Sequence, residues 1–190
     1  ADITAHCLRA IAQWLCDGKS RTYSHNLWQA WWQASNVAES ERFKLELDTG
    51  ETFETESRNE QLMRRAVRAI ESGLEFLKRV QRPNGSWIPL WFGNQFAEND
   101  ENPVYGTSRV LMAYRDLGML DAPEAQRAAA WLASVQEPLP EPSSLDPCPS
   151  TARGWGGDAG IAPSVEETAL AAEVLLEFEP YRKNAFDGIS

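Results

Sequence analysis

The sequence predicts an all-α fold built from antiparallel helix pairs. Five segments space their apolar residues at intervals near 3.6, the period of an amphipathic helix. In a chain of 190 residues, 43% hydrophobic and 10% aromatic residues are enough to form a packed core. A helix-terminal glutamine followed by a glycine and a tryptophan occurs twice. Together these observations favour a repeating helical architecture and exclude a disordered chain.

Each predicted helix has an apolar stripe or a boundary signal. In the first helix Leu8, Ile11 and Leu15 share one face. Gly118 ends the third helix, and a proline in the first turn opens the fourth. Ser164, with Glu167 three residues later, has the spacing of a capping box at the start of the fifth. The predicted helices are residues 4–16, 60–80, 106–117, 123–135 and 165–178.

Two segments interrupt this helical pattern. Residues 18–59 form an insertion in which Trp28, Trp31 and Trp32 would share a helical face. Within it, residues 43–47 alternate in polarity and residues 52–55 follow a turn-like sequence, which predicts a small irregular or β-hairpin element. Residues 137–153 are proline-rich and are predicted to form a loop.

Charge and cysteine content exclude several function classes. The chain has 18 basic and 28 acidic residues, a net charge of −10, which would repel a nucleic-acid backbone. Cys7 and Cys16 are too far apart along one helix to form a disulfide. With two histidines and no C-x-x-C pair, the sequence predicts no metal and no cofactor. No apolar run approaches the length of a transmembrane helix.

The repeated pattern defines a structural unit. Residues 76–81 (FLKRVQ) and 131–136 (WLASVQ) share an aromatic residue, a leucine and a final glutamine, and Trp87 and Trp155 follow them. Thr4, Thr107 and Thr168 each stand at the start of a predicted helix, and these threonine-led helices form a second group of similar segments. Helix pairs repeated in this way stack into a solenoid or close into a ring. Because the first unit begins at its threonine-led helix, we expect the chain to start inside a larger ring. On the residues alone, the glutamines and tryptophans indicate architecture and not chemistry.

The same motifs carry a resemblance to a known family. Residues 81–87 (QRPNGSW) resemble the QW repeat of squalene–hopene and oxidosqualene cyclases. Residues 91–94 (WFGN) and 103–107 (PVYGT) resemble the stretch that follows it, and residues 154–158 (GWGGD) resemble the next repeat. Residues 2–6 (DITAH) are similar to a D-V-T-A-H segment of bacterial hopene cyclases. The chain thus resembles the C-terminal part of such a cyclase.

The resemblance implies an α/α-barrel, or toroid, that is incomplete in this chain. It also implies a proton-initiated, metal-free reaction, in which an aspartic acid protonates a terminal alkene of an apolar, squalene-like polyene. The polyene then closes through carbocations, which aromatic ring faces stabilise. Family members sit in one face of a membrane. A cytoplasmic protein in peripheral contact with the inner membrane face is therefore the expected location, and the oligomeric state stays open.

Four residues are carried over from the family's motifs. Asp2 and His6 fall where the family supports its catalytic acid, one helical turn apart. An imidazolium beside a carboxyl group makes that group a stronger acid. Trp91 and Tyr105 match positions that line the substrate cavity, although residues 95–102 make the intervening segment longer than in hopene cyclases. On the residues alone, the favoured interpretation is that Asp2 is an N-cap and His6 a solvated side chain, and the alternative for the two aromatics is ordinary core or loop packing.

The sequence departs from the family in two ways. It contains no D-x-D-D motif, which carries the proton donor and lies upstream in hopene cyclases, and the aromatic-rich C-terminal repeat is missing. We therefore expect the chain alone to be inactive. The alternative is a non-catalytic α/α-repeat module that binds an apolar ligand or a protein partner. Protein prenyltransferase β-subunits rank third, because the cysteines and histidines lack the spacing of their zinc ligands. We expect the tryptophan stripe of the insertion to pack on the barrel or on a partner, with contact to lipid as the other interpretation.

Overall fold

The computed structural model describes residues 1–17, 53–139 and 153–189, and within these residues it contains six α-helices and one two-stranded antiparallel sheet. The predicted all-α class is confirmed. Short 3-10 turns at Glu98–Asp100 and Glu179–Tyr181 precede the helices that begin at Pro103 and Arg182. The elements are α1 (Asp2–Asp17), α2 (Phe53–Val80), α3 (Pro103–Asp116), α4 (Pro123–Ser134), β1 (Glu137–Pro138), β2 (Arg153–Gly154), α5 (Val165–Leu175) and α6 (Arg182–Asp187).

All five predicted helices are present, but α2 begins earlier than expected and a further helix, α6, was not predicted. Helix α2 begins at Phe53, so the returning strand predicted at residues 52–55 is wrong for residues 53–55. An isolated two-stranded hairpin is marginal in water, whereas extending a helix that has already formed adds a hydrogen bond for each residue. Helix α6 was not predicted because six residues are too few to show a period. The tryptophan stripe and the first hairpin strand lie outside the described residues.

The helices form two layers. In the first, α3 packs against both α1 and α5. In the second, α2 packs on α1, α4 packs on α3 and α5, and α6 packs on α5. A single cluster of buried apolar side chains draws on all six helices, from Leu8 in α1 to Ala185 in α6. The two layers therefore share one core.

The turn between α2 and α3 is closed by the side chains of Gln81, Trp87 and Thr107. The fully buried indole of Trp87 donates from Nε1 to the Leu77 carbonyl at 2.8 Å, and its backbone N–H donates to Thr107 Oγ1 at 2.9 Å. Gln81 Nε2 donates to the Glu124 carbonyl at 2.9 Å. These bonds tie the end of α2 to Thr107 near the start of α3 and to the start of α4.

The turn between α4 and α5 repeats this arrangement. Trp155 is fully buried, and its Nε1 donates to the Leu132 carbonyl at 2.7 Å. Its backbone N–H donates to Thr168 Oγ1 at 2.9 Å. Gln136 Nε2 donates to the Asn184 carbonyl, in α6, at 2.8 Å. In both turns a helix-terminal glutamine reaches the next helix of the second layer, while a tryptophan and a threonine join the two layers.

The short sheet lies at the base of the predicted proline-rich loop and extends one residue beyond it, to Gly154. Glu137 pairs with Gly154 and Pro138 with Arg153. Two residues on each side are enough to close the loop at its base, and the part of the loop at residues 140–152 lies outside the described residues.

Candidate functional site

The N-terminus of α1 holds a buried carboxylate. Asp2 is 1% exposed, and its Oδ1 accepts the backbone N–H of Leu90 at 2.9 Å. The Ala1 amino group lies 3.4 Å from the Ile88 carbonyl oxygen. Asp2 thus fixes the segment between Trp87 and Trp91. Two of the predicted site residues, Asp2 and Trp91, therefore belong to one local structure.

His6 lies one helical turn after Asp2, and its side chain is exposed. Among the described residues no hydrogen bond or ion pair joins it to Asp2, whose carboxylate faces Leu90 instead. The role of the pair as support for a catalytic acid stays a prediction.

The predicted cavity aromatics occupy different environments. The side chain of Trp91 is 76% exposed, whereas Tyr105, in the first turn of α3, is 3% exposed. The ring that contacts Tyr105 is Phe92, stacked at a centroid distance of 4.4 Å with an interplanar angle of 23°. Sequence reasoning missed Phe92, although it adjoins Trp91 in the same motif. The role of Trp91 and Tyr105 in substrate binding stays a prediction.

Arg109 is the second residue that sequence reasoning missed. Its Cζ lies 5.0 Å from the centroid of the Tyr105 ring, one helical turn away on α3. Within the part of the chain that the structure describes, its Nε is buried without a hydrogen-bond partner. The available signal was the i, i+4 spacing of a tyrosine and an arginine, which places both side chains on one helix face.

The segment between Trp91 and Tyr105 is held by backbone contacts. The Asn94 N–H donates to the Asp100 carbonyl at 3.0 Å, which closes the longer stretch at residues 95–99 into a compact turn. Asn99 and Asp100 both have positive φ, at 60° and 54°. A Cβ on Gly106 would lie 2.4 Å from the Trp87 carbonyl oxygen. Glycine is therefore needed where α3 passes the turn that contains Trp87.

Buried polar side chains join the N-termini of α3 and α5. Asn102 caps α3 by accepting the Tyr105 N–H at 3.0 Å, and Ser164 caps α5 by accepting the Glu167 N–H at 3.2 Å. Ser164 is therefore the N-cap, as predicted. The Glu167 carboxylate accepts from the Ser164 hydroxyl and from Asn102 Nδ2, the latter at 2.8 Å. The Glu167 carboxylate thus fixes the N-termini of both helices, near Tyr105.

Within the described ranges, no group of three or more histidine, cysteine or acidic side chains is arranged to hold a metal ion. The Cys7 thiol is free and exposed. In the same ranges no helix has the length and apolar character needed to cross a bilayer.

Comparison with known proteins shows which protein family the central part of the chain resembles. Residues 49–139 match the squalene-hopene cyclase C-terminal domain. A squalene–hopene cyclase of Bradyrhizobium diazoefficiens is 34% identical over 91 residues, and a probable squalene–hopene cyclase of Sinorhizobium fredii is 31% identical over 93 residues. This segment belongs to the squalene–hopene cyclase family.

The two alignments cover 47% and 48% of this chain but only 11% of each cyclase relative. No solved structure matches the chain. Residues 49–139, which match the cyclase domain, include the turn between α2 and α3, Trp91 and Tyr105. Asp2, His6 and Trp155 lie outside this range, so their assignment depends on the motifs and on the geometry described above.

Proposed function

We propose that the chain is the C-terminal part of a squalene–hopene-cyclase-like triterpene cyclase that closes an apolar polyene without a metal or cofactor. The observation that carries this proposal is the match of residues 49–139 to the cyclase C-terminal domain. The two helical layers and the equivalent turns at Trp87 and Trp155 are compatible with part of an α/α-barrel. The remainder of the barrel would come from other parts of a longer polypeptide.

In this proposal an acid from a D-x-D-D motif elsewhere in the polypeptide donates its proton to a terminal alkene carbon. The alkene π electrons form the new C–H bond, and the adjacent carbon becomes a cation that the next double bond attacks. Asp2 and His6 support the acid, while Trp91 and Tyr105 line the cavity. Asp2 contributes a fixed position, because the buried carboxylate is held by the Leu90 N–H.

The test is squalene turnover by two proteins: the 190-residue chain and the natural gene product that contains it. Intact mass should exceed 21.3 kDa for the natural product, and gas chromatography with mass spectrometry should detect cyclised squalene only with that longer protein. In the longer protein Asp2→Asn should lower turnover by about 100-fold, and the exposed Asp121→Asn should not. A natural product of 21.3 kDa without turnover would contradict the cyclase assignment.

The second candidate is a non-catalytic helical module that binds an apolar ligand or a protein. It is favoured by three exposed apolar side chains next to the Asp2 segment: Leu90 at 65%, Trp91 at 76% and Phe96 at 74%. Native mass separates the two candidates, because a module complete at 21.3 kDa lacks the acid altogether.

The proposed location is the cytoplasm, in peripheral contact with the inner membrane face. The side chain of Phe96, which is 74% exposed, gives an apolar contact that needs no basic residues. Phe96→Ser should reduce cosedimentation with phosphatidylcholine vesicles severalfold. Val165→Ser is the matched control, since Val165 is 88% exposed in a different element. Equal cosedimentation of all three proteins would contradict the contact.

A further inference from the structure

Phe92 is half exposed and covers the buried ring of Tyr105. The side chain of Phe92 is 49% exposed, and its ring stacks on Tyr105 at a centroid distance of 4.4 Å. Tyr105 itself is 3% exposed, so almost none of its ring is open to a ligand. A molecule that approaches this stacked pair therefore meets Phe92, and Tyr105 belongs to the wall behind it.

The ring of Tyr105 already has a positive charge beside it. The guanidinium carbon of Arg109, Cζ, lies 5.0 Å from the Tyr105 centroid. The π electrons of a ring attract one cation, but a second cation is repelled by the first, most strongly where water is excluded. Within the described ranges no arginine or lysine lies over the ring of Phe92. Of the two stacked rings, Phe92 is therefore the one that can accept a further cation.

The backbone is fixed on both sides of Phe92. Two residues before it, the N–H of Leu90 donates to the buried Asp2 carboxylate at 2.9 Å. Two residues after it, the N–H of Asn94 donates to the Asp100 carbonyl at 3.0 Å. A ring that is held in place before the ligand arrives loses little conformational freedom on binding.

We propose that Phe92 stabilises a carbocation of the cyclising polyene, through the ring face that is turned away from Tyr105. This role rests on the proposed cyclase function and adds Phe92 to the predicted cavity residues Trp91 and Tyr105. Positive charge develops on a carbon of an apolar substrate in that reaction, and a fixed group aimed at this charge lowers the barrier. A phenyl ring attracts the cation and has no lone pair that could capture it or accept its proton.

Squalene turnover by the longer protein, with its products separated by gas chromatography and mass spectrometry, tests this role. Phe92→Leu keeps an apolar side chain and removes the π face. We expect kcat to fall about tenfold and KM to change less than about twofold, because the lost contact is made only as the cation forms. A cation that is less stabilised loses a proton before the next ring closes, so the share of incompletely cyclised products should rise severalfold.

Variants that keep the ring, or remove one elsewhere, complete the design. Phe92→Trp keeps an aromatic face and should retain the product ratio. Phe186→Leu is the matched control, because Phe186 is 59% exposed but lies in α6, and it should leave kcat and the product ratio unchanged. Phe92→Met also lacks a ring and serves if Phe92→Leu fails to fold, since methionine adapts to the available space.

The outcomes separate this role from the proposed cyclase function. If the unmodified longer protein turns over squalene and loss of the Phe92 ring leaves the product ratio unchanged, the role of Phe92 is overturned and the cyclase function stands. A lower kcat with an unchanged ratio counts as this result, because it indicates a structural effect. An equal product shift in Phe186→Leu overturns the role as well. Absence of turnover by the unmodified protein contradicts the cyclase function, and the role of Phe92 falls with it.

Discussion

Thr107 and Thr168 make the same hydrogen bond at two levels of burial. Each hydroxyl oxygen accepts the backbone N–H of a buried tryptophan at 2.9 Å. Thr107 is fully buried, whereas Thr168 is partly exposed, so water can replace the acceptor only at Thr168. The two sites therefore allow the contribution of one hydrogen bond to be compared with and without access to solvent.

We expect Thr107→Val to lower the free energy of unfolding by about 1–3 kcal/mol, the cost of a buried N–H that loses its acceptor. Thr168→Val should cost less, about 1 kcal/mol or below, because solvent reaches that site. Urea unfolding followed by circular dichroism measures both values. Equal losses in the two variants would show that burial of the threonine does not control the effect.

Tyr114 makes stability sensitive to alkaline pH. It is 2% exposed, and burial, aided by the negative charge of Glu124, raises the pKa of its hydroxyl well above the usual value of 10. Because the folded state holds this proton more tightly than the unfolded chain, the stabilisation is complete below pH 10. It is lost as the pH rises above 10.

Above pH 10 the unfolding free energy should therefore fall more steeply in the unmodified chain than in Tyr114→Phe. The difference in slope should approach about 1.4 kcal/mol for each pH unit. Urea unfolding at pH 9 and pH 11 measures it, and parallel slopes would count against the raised pKa. The exposed surface titrates in both proteins and cancels in the comparison.

At the scale of the element, Glu167 links two helix starts. Its carboxylate accepts from the cap of α5 and from Asn102, the cap of α3. Loss of this side chain leaves the amide of Asn102 buried without that acceptor, and a single substitution then affects both helices.

Glu167→Ala should lower the free energy of unfolding by about 1–3 kcal/mol, whereas Glu166→Ala should change it by about 0.5 kcal/mol or less. The two residues are adjacent in the first turn of α5 and carry the same charge, but Glu166 is exposed. Chemical unfolding of both variants makes the comparison. Similar losses would attribute the effect to the charge at the helix N-terminus and not to the link with Asn102.

The elements that could be predicted from sequence are those whose signal is local. Apolar periods and caps near Gly118, Pro123 and Ser164 gave the five helices. The early start of α2 was missed because residues 53–60 (FETESRNE) have no apolar stripe. The contact of Asp2 with Leu90 spans 88 residues and leaves no local pattern, and the ring partner of Tyr105 depends on how the whole turn folds.

At the scale of the whole molecule, the two layers share one apolar core. Its buried residues come from every described helix, so no helix can detach or unfold without exposing buried side chains of its neighbours. We expect a single unfolding transition, with coincident midpoints for far-ultraviolet circular dichroism and tryptophan fluorescence. An earlier fluorescence transition would indicate that part of the core separates first.

The matched hydrogen bonds of the two turns have a consequence for how such chains change in length. Only residues 82–86 separate Gln81 from Trp87, whereas residues 137–154 separate Gln136 from Trp155. The anchors make equivalent bonds in both cases, so the number of residues between them is free to vary. The interval between glutamine and tryptophan can thus take up extra residues without moving a helix, and it is where a foreign peptide is best introduced.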